Sequence, residues 1–313
     1  MTTTPTADTQ ARQGVMFGLA AYTMWGCFPL FFALFEGVPA FEILIHRVLW
    51  SCLFLVGLVT LLGRWAPIRE ALGQPRRLGQ VLGCALLIAL NWGLYIYSVE
   101  TRHVLQASLG YFMTPLVNVA LGMLVLRETM HRLQAVAVAL AALAIVLQLV
   151  MLGELPWISL ALAFTFGTYG LLRKQVPLDG LSGLFVETLL LLPLGLIALG
   201  WLTQAELSHF LGDTRTTLLL IASGVITALP LLAFAGAARR LRLATARRLR
   251  LATLGFLMYL NPTIQFLIAL LVFGEPLSGV QLATFVLIWT GLALYSWSAW
   301  QSRPRETPQP AGR

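Results

Sequence analysis

The sequence predicts an all-α integral membrane protein of ten transmembrane helices, forming two inverted five-helix repeats. Three observations point there. The chain is 58% hydrophobic and 11% charged, whereas soluble domains carry roughly 25% charged residues, so it lacks the charges to clothe a surface in water. It divides into ten apolar runs long enough to span a bilayer. One pattern also occurs twice: Pro115 is followed thirteen residues later by Glu128, and Pro262 thirteen residues later by Glu275. Upstream of these lie the matching segments Ala107-Ser108-Leu109-Gly110-Tyr111-Phe112 and Ala252-Thr253-Leu254-Gly255-Phe256-Leu257, shifted by two residues relative to the prolines.

A polar, Thr-rich segment, 1–13, precedes the first run, which has no clear cleavage site and reads as a retained helix. The expected spans are 14–34, 40–62, 79–98, 105–126, 133–152, 156–172, 181–202, 216–237, 253–273 and 279–299; the sixth is short. The tail 301–313 is rich in Pro and polar residues and is expected to be disordered. The repeats are then 14–152 and 153–300.

Orientation follows from Lys and Arg, which concentrate on the cytoplasmic side. One set of alternating gaps holds Arg12, Arg64, Arg69, Arg76, Arg77, Arg127, Arg132, Arg173, Lys174, the arginines of 239–250 and those of the tail. The other set holds Arg102 and Arg215, and Arg47 lies inside a span. Both termini are therefore expected in the cytoplasm. Five spans per half is odd, so the second half enters the membrane the other way up, with Glu128 inside and Glu275 outside. Weaker echoes relate Tyr22–Gly26 to Phe164–Gly170 and Glu42 to Glu187.

The net charge of +8 does not indicate nucleic acid, because the arginines sit in short gaps and form no basic face with interleaved aromatics. Cys27, Cys52 and Cys84 lie in apolar runs without CxxC spacing, so neither zinc nor a disulfide framework is expected. There is no Walker A sequence, HExxH or GxSxG, so no ATPase, metalloprotease or hydrolase chemistry and no cofactor is expected. GxxxG spacings at Gly14/Gly18 and Gly79/Gly83 read as close helix packing.

The candidate site residues are the intramembrane polar and aromatic groups, since each polar one is costly in lipid. Glu42 and His46 are four apart on one helix face, beside Arg47. Two readings of Arg47 stand. It faces a cavity with Glu187 or Glu42 as counter-ion, or it snorkels to the outer interface while Glu42 caps the helix. His46 could carry a coupling proton, because imidazole titrates near neutral pH. Asn91 and Tyr95 share a face in span three, Trp92 lies beside them, and Tyr97 points elsewhere. Pro115 and Pro262 each free a carbonyl four residues earlier, at Tyr111 and Met258, and Asn118 and Gln265 lie three residues beyond the prolines. Such kinks suit either packing or a cavity wall. Tyr169 and Tyr259 complete the set. Most tryptophans, Trp50 among them, are assigned to the interfacial belt; Trp25 and Trp92 lie deeper and, with Tyr95 and Tyr111, could grip an organic substrate.

These residues carry a resemblance. The chain is similar to drug/metabolite transporter superfamily members of the EamA type, and within them to the RarD subfamily of chloramphenicol-sensitive proteins. The carrying segments are Arg12-Gln13-Gly14-Val15, Trp25-Gly26, Glu42-Ile43-Leu44, His46-Arg47-Val48, Asn91-Trp92, Pro115-Leu116-Val117-Asn118 and Leu121-Gly122-Met123, with Tyr169-Gly170-Leu171, Glu187-Thr188, Arg240–Leu243 and Thr253–Phe256 in the second half. The resemblance spans about residues 11–300. It implies two inverted five-helix repeats around a central cavity, and secondary transport of small metabolites or drugs across the bacterial inner membrane. One departure is a perfect tandem: Ala238-Arg239-Arg240-Leu241-Arg242-Leu243-Ala244-Thr245 recurs as 246–253.

The expected function is a secondary transporter, read as an exporter working by alternating access. The expected partners are a small-molecule substrate and the lipid bilayer, with the proton as a candidate coupling ion and a homodimer as one assembly open to it. An intramembrane enzyme using Glu187, His46 and Arg47, or a non-transporting receptor, is the alternative. Inverted repeats favour transport, because alternating access gives that symmetry a mechanical use.

Overall fold

The computed structural model describes residues 7–126, 132–243 and 257–301. Glu128, the second octapeptide copy at 246–253, Thr253–Phe256 and the tail beyond Gln301 lie outside the described residues. All regular structure among the described residues is helical: α1 (Ala7–Gly26), α2 (Phe28–Phe32), α3 (Ala40–Leu61), α4 (Trp65–Leu72), α5 (Pro75–Glu100), α6 (Val104–Leu126), α7 (Arg132–Leu152), α8 (Trp157–Arg173), α9 (Gly180–Gln204), α10 (Thr214–Leu243), α11 (Leu260–Leu271) and α12 (Gly279–Gln301).

Among the described residues, eight helical segments are long and apolar enough to cross a bilayer. The expected sixth span is α8, of 17 residues, and the described part of the ninth is α11, of 12. Large apolar side chains such as Val150, Ile197 and Leu271 are exposed, as a lipid-facing surface requires.

Four details depart from the expectation. Span one breaks at Cys27, where Pro29 opens α2 and the chain makes a short separate turn of helix. The gap after span two contains α4, whose Ile68 and Ala71 are buried while charged residues face out. Pro262 does not kink a helix interior. It lies in the first turn of α11, where its missing N–H costs no intrahelical bond. Pro115, by contrast, sits inside α6. Trp50 is no belt residue, because it lies at the middle of α3 and donates from Nε1 to His46 Nδ1 at 3.2 Å.

The chain forms two compact units. The larger comprises 1–114 and 157–277, the smaller 115–156 and 278–313. In the larger, α1 packs on α10 and α11, α3 on α10, α9 and α5, and α5 on α8 and α9. Small residues permit the closest approaches. Gly224 of α10 lies against the Trp50–Ser51 peptide of α3, and the Ser51 hydroxyl donates to the Gly224 carbonyl at 3.1 Å. A Cβ on Gly110 of α6 would come within 2.7 Å of the Ser159 carbonyl oxygen of α8. In the smaller unit α7 packs on α12, with Gly291 against the backbone of Ala137.

Contacts near the helix ends tie distant loops together. Glu100 accepts from the Ala40 amide at 3.0 Å, at the start of α3. Glu275 accepts from the amides of Val104 and Leu105 at 2.7 and 2.8 Å. These amides open α6, where backbone N–H groups have no partner within the helix. Arg64 lies 3.5 Å from Asp179, whose side chain also caps α9 through the amides of Leu181 and Ser182.

Candidate functional site

Two buried clusters in the larger unit contain seven of the fifteen candidate residues. The first surrounds Arg47, which is 3% exposed on α3. Its guanidinium carbon lies 4.2 Å from the ring centre of Trp92, 5.4 Å from Phe32 and 5.7 Å from Phe28. Such cation–π contacts stabilise a desolvated charge by about 2 kcal/mol together with its packing, but they supply no hydrogen-bond acceptor. Among the described residues, Arg47 Nε and Nη1 have no hydrogen-bond partner, and neither has the buried Tyr95 hydroxyl. The hydroxyls of Tyr95 and Tyr111 lie within electrostatic reach of the guanidinium.

Asn91 fixes one wall of this cluster. Its Nδ2 donates to the Leu162 carbonyl at 3.2 Å and to the Thr165 hydroxyl at 3.0 Å, and its Oδ1 accepts from the Tyr111 hydroxyl at 3.2 Å. The amide thereby joins α5, α6 and α8.

The second cluster surrounds Glu187, 1% exposed on α9. Its carboxylate takes Arg173 Nε at 3.4 Å and the Tyr169 hydroxyl at 3.3 Å, both from α8. Arg173 also donates to the carbonyls of Val176, Leu178 and Asp179, so the same guanidinium fixes the turn between α8 and α9. Gly183 leaves room for it, since a Cβ there would collide with the guanidinium.

Aromatic rings join the two clusters. Phe32 lies 6.1 Å from Tyr95, Tyr95 5.8 Å from Tyr111, Tyr111 5.8 Å from Phe166, and Phe166 stacks on Tyr169 at 6.0 Å. The row runs from the rings beside Arg47 to the hydroxyl on Glu187.

Other candidates stand elsewhere. Glu42 is not beside Arg47. It is 1% exposed and accepts from the Ser208 hydroxyl at 3.0 Å and from the His209 amide and Nδ1 at 2.7 Å each. His46 packs on Phe210 of the same loop, with ring centres 4.7 Å apart. Trp25 packs on Tyr22 and Phe234. Pro262 accepts from the Ser108 hydroxyl at 2.8 Å, Gln265 donates to Asn261 at 2.7 Å, and the Tyr259 carbonyl accepts from Thr263. Pro115 and Asn118 belong to the smaller unit, and Asn118 is exposed.

Sequence reasoning missed Arg173, which it placed in a cytoplasmic gap, and the partners Phe28, Phe32, Phe166, Ser208 and His209. One signal was available. Tyr169 and Arg173 are four residues apart and so share a helix face.

Comparison with known proteins adds a family. Residues 12–150 match the EamA-like transporter family. An uncharacterized transporter of Pseudomonas aeruginosa is 46% identical over 310 residues, covering 97% of this chain and 99% of that protein. Protein RarD of Escherichia coli K12 is 42% identical over 91% of this chain and 94% of its own. The chloramphenicol-sensitive protein RarD of Pseudomonas aeruginosa is 33% identical over 92% and 94%. A crystal structure with 18% sequence identity aligns over 91% of this chain and 98% of its own with a TM-score of 0.53, a likeness of fold.

Proposed function

The chain belongs to the EamA-like transporter family, in its RarD-type branch, and from that premise we propose an exporter. It is a secondary transporter that moves small organic molecules outward across the bacterial inner membrane, by alternating access between inverted halves 14–152 and 153–300. Both termini are cytoplasmic in this reading.

The observation that carries it is which loops touch. Ten spans put Arg64 and Asp179 on the cytoplasmic face, with α5, α6, α7 and α8 between them; the two side chains lie 3.5 Å apart. If the short α8 did not cross, they would face opposite sides. The same count puts Glu42 and His209, Ala40 and Glu100, and Val104 and Glu275 on the outer face, and each pair is hydrogen-bonded. The Val104–Glu275 pair likewise requires α11 to complete a crossing.

Helix pairing supports the repeat. Numbering α1–α2 as span one and α3 and α5 to α12 as spans two to ten, exchanging each span with the one five later maps α1·α10 onto α5·α8. It also maps α3·α10 onto α5·α9, and it leaves α3·α9 and α7·α12 unchanged. All six contacts occur within the units. Symmetry of this kind is what rocking of one half against the other uses.

The substrate path in this reading runs along the row from Arg47 to Glu187. Glu187, held by Arg173 and Tyr169, is the candidate proton carrier, and His46 remains a second. The test is flux from proteoliposomes loaded with a labelled metabolite panel, with and without an imposed proton gradient. The proposal expects protein-dependent flux of at least one small organic solute, stimulated by the gradient. Absence of flux for every solute under both conditions contradicts it.

A further inference from the structure

We propose that the Arg47 cluster binds a small aromatic carboxylate: an anionic head on the guanidinium and a flat body along the ring row. This names a substrate class and rests on the transport reading above.

Three buried polar atoms at this cluster lack hydrogen-bond partners among the described residues: Arg47 Nε and Nη1 and the Tyr95 hydroxyl. All three can donate. The neighbouring Tyr111 hydroxyl is already committed to Asn91 Oδ1. The acids that could have served Arg47 are occupied, Glu42 by Ser208 and His209 and Glu187 by Arg173 and Tyr169. A desolvated charge with unmade hydrogen bonds is costly. An acceptor bearing negative charge can take up unmade bonds of this kind, and a planar guanidinium suits a carboxylate.

The rings decide the body of the ligand. Trp92, Phe28 and Phe32 cover the guanidinium itself, whereas Tyr95, Tyr111, Phe166 and Tyr169 continue away from it at centroid spacings of 5.8 to 6.0 Å. Rings in contact at that spacing form a continuous aromatic wall, and a further flat ring can pack against such a wall through offset or edge contacts. A bare inorganic anion would use none of this wall.

The test is isothermal titration of the purified full-length protein in nanodiscs. The probes are indole-3-acetate and benzoate, with indole-3-acetamide as the uncharged analogue and acetate as the ringless one. The two aromatic carboxylates are expected to bind, and the amide and acetate to bind at least about tenfold more weakly. Arg47→Gln should weaken indole-3-acetate by about ten- to a hundredfold, and Tyr95→Phe by several-fold, while Trp201→Phe, an exposed ring near the end of α9, leaves it unchanged. Equal binding of the amide, equal binding of acetate, or no binding of either aromatic carboxylate overturns the assignment. If Arg47→Gln does not fold, the four wild-type titrations and Tyr95→Phe still decide. Flux of other solutes without anion binding would sink this inference and leave transport standing. Anion binding without flux of any solute would do the reverse.

Discussion

The Glu187 carboxylate lies 3.4 Å from Arg173 Nε, while Arg47 has rings beside it and no ion pair among the described residues. Glu187 is seven residues past the first residue of α9 (187 − 180), and Arg47 is seven past the first residue of α3 (47 − 40). The two helices therefore place opposite charges at equal depth from their starts. Each charge is met differently: one by an ion pair within the fold, the other by aromatic faces.

Breaking the Glu187–Arg173 pair from its two ends should have unequal effects. Arg173→Ala strands a buried carboxylate and frees three carbonyls, so its cost should approach ~3–5 kcal/mol, at the lower end because Arg173 is partly exposed. Glu187→Gln keeps the Tyr169 contact and should cost less. The double variant should be more stable than the sum of the singles implies. Thermal unfolding in detergent measures all three, and strict additivity would show that the pair is not coupled.

The loop bearing Ser208 and His209 is fastened to α3 by Glu42, and Phe210 lies over His46. Glu42→Ala should release it. Hydrogen exchange at the His209 amide should then accelerate, whereas Glu42→Gln, which keeps an acceptor oxygen, should stay near wild type. Unchanged exchange in Glu42→Ala would mean that the loop is held by its apolar contacts alone.

Three glycines separate close packing from helix propensity. Gly224→Ala drives a methyl into the Trp50–Ser51 peptide, and Gly110→Ala drives one onto the Ser159 backbone. Backbone cannot yield as a side-chain tip does, so each should cost ~1–3 kcal/mol or more. Gly200 has open space around it, and Gly200→Ala should be neutral or stabilising by up to ~1 kcal/mol. Equal melting temperatures for all three variants would contradict the packing described.

Asp179 supplies a pH dependence outside the membrane. Burial works to raise its pKa, but hydrogen bonds from Ser182 and Leu181 and the nearby Arg64 outweigh it and hold the carboxyl below its ordinary value of 3.8. A depressed acid stabilises the fold above that ordinary value, and the contribution is lost as pH falls through the depressed one. Asp179→Ala should therefore lower the melting temperature at pH 6 and have less effect as pH falls below 3.8. A constant difference down the pH series would rule out the charged cap.

Much of this arrangement was legible in one dimension. Spans such as α3, α7 and α9 are apolar runs of bilayer length, and the face shared by Asn91 and Tyr95 follows from helical spacing. Partner choice was not legible. Glu42 meets His209 across 167 residues, and Asn91 meets Leu162 across 71. No local pattern encodes such meetings. Arg173 was hidden by the charge rule itself, which reads an arginine at a helix end as cytoplasmic anchorage and says nothing of a side chain that turns inward. The helix α4 was hidden because its charged residues mask a two-residue buried stripe.

The proposed transporter works through two halves inserted in opposite senses, and sidedness is the most direct test of that proposal. Single cysteines at Glu154, Lys174 and Leu211, in a background without Cys27, Cys52 and Cys84, bracket α8 and α9. With an impermeant thiol reagent on intact cells, Glu154→Cys and Leu211→Cys should label, and Lys174→Cys should label only after permeabilisation. Labelling of Lys174→Cys from outside, together with Glu154→Cys, would show that α8 does not cross and would contradict the ten-span, inverted-repeat transporter.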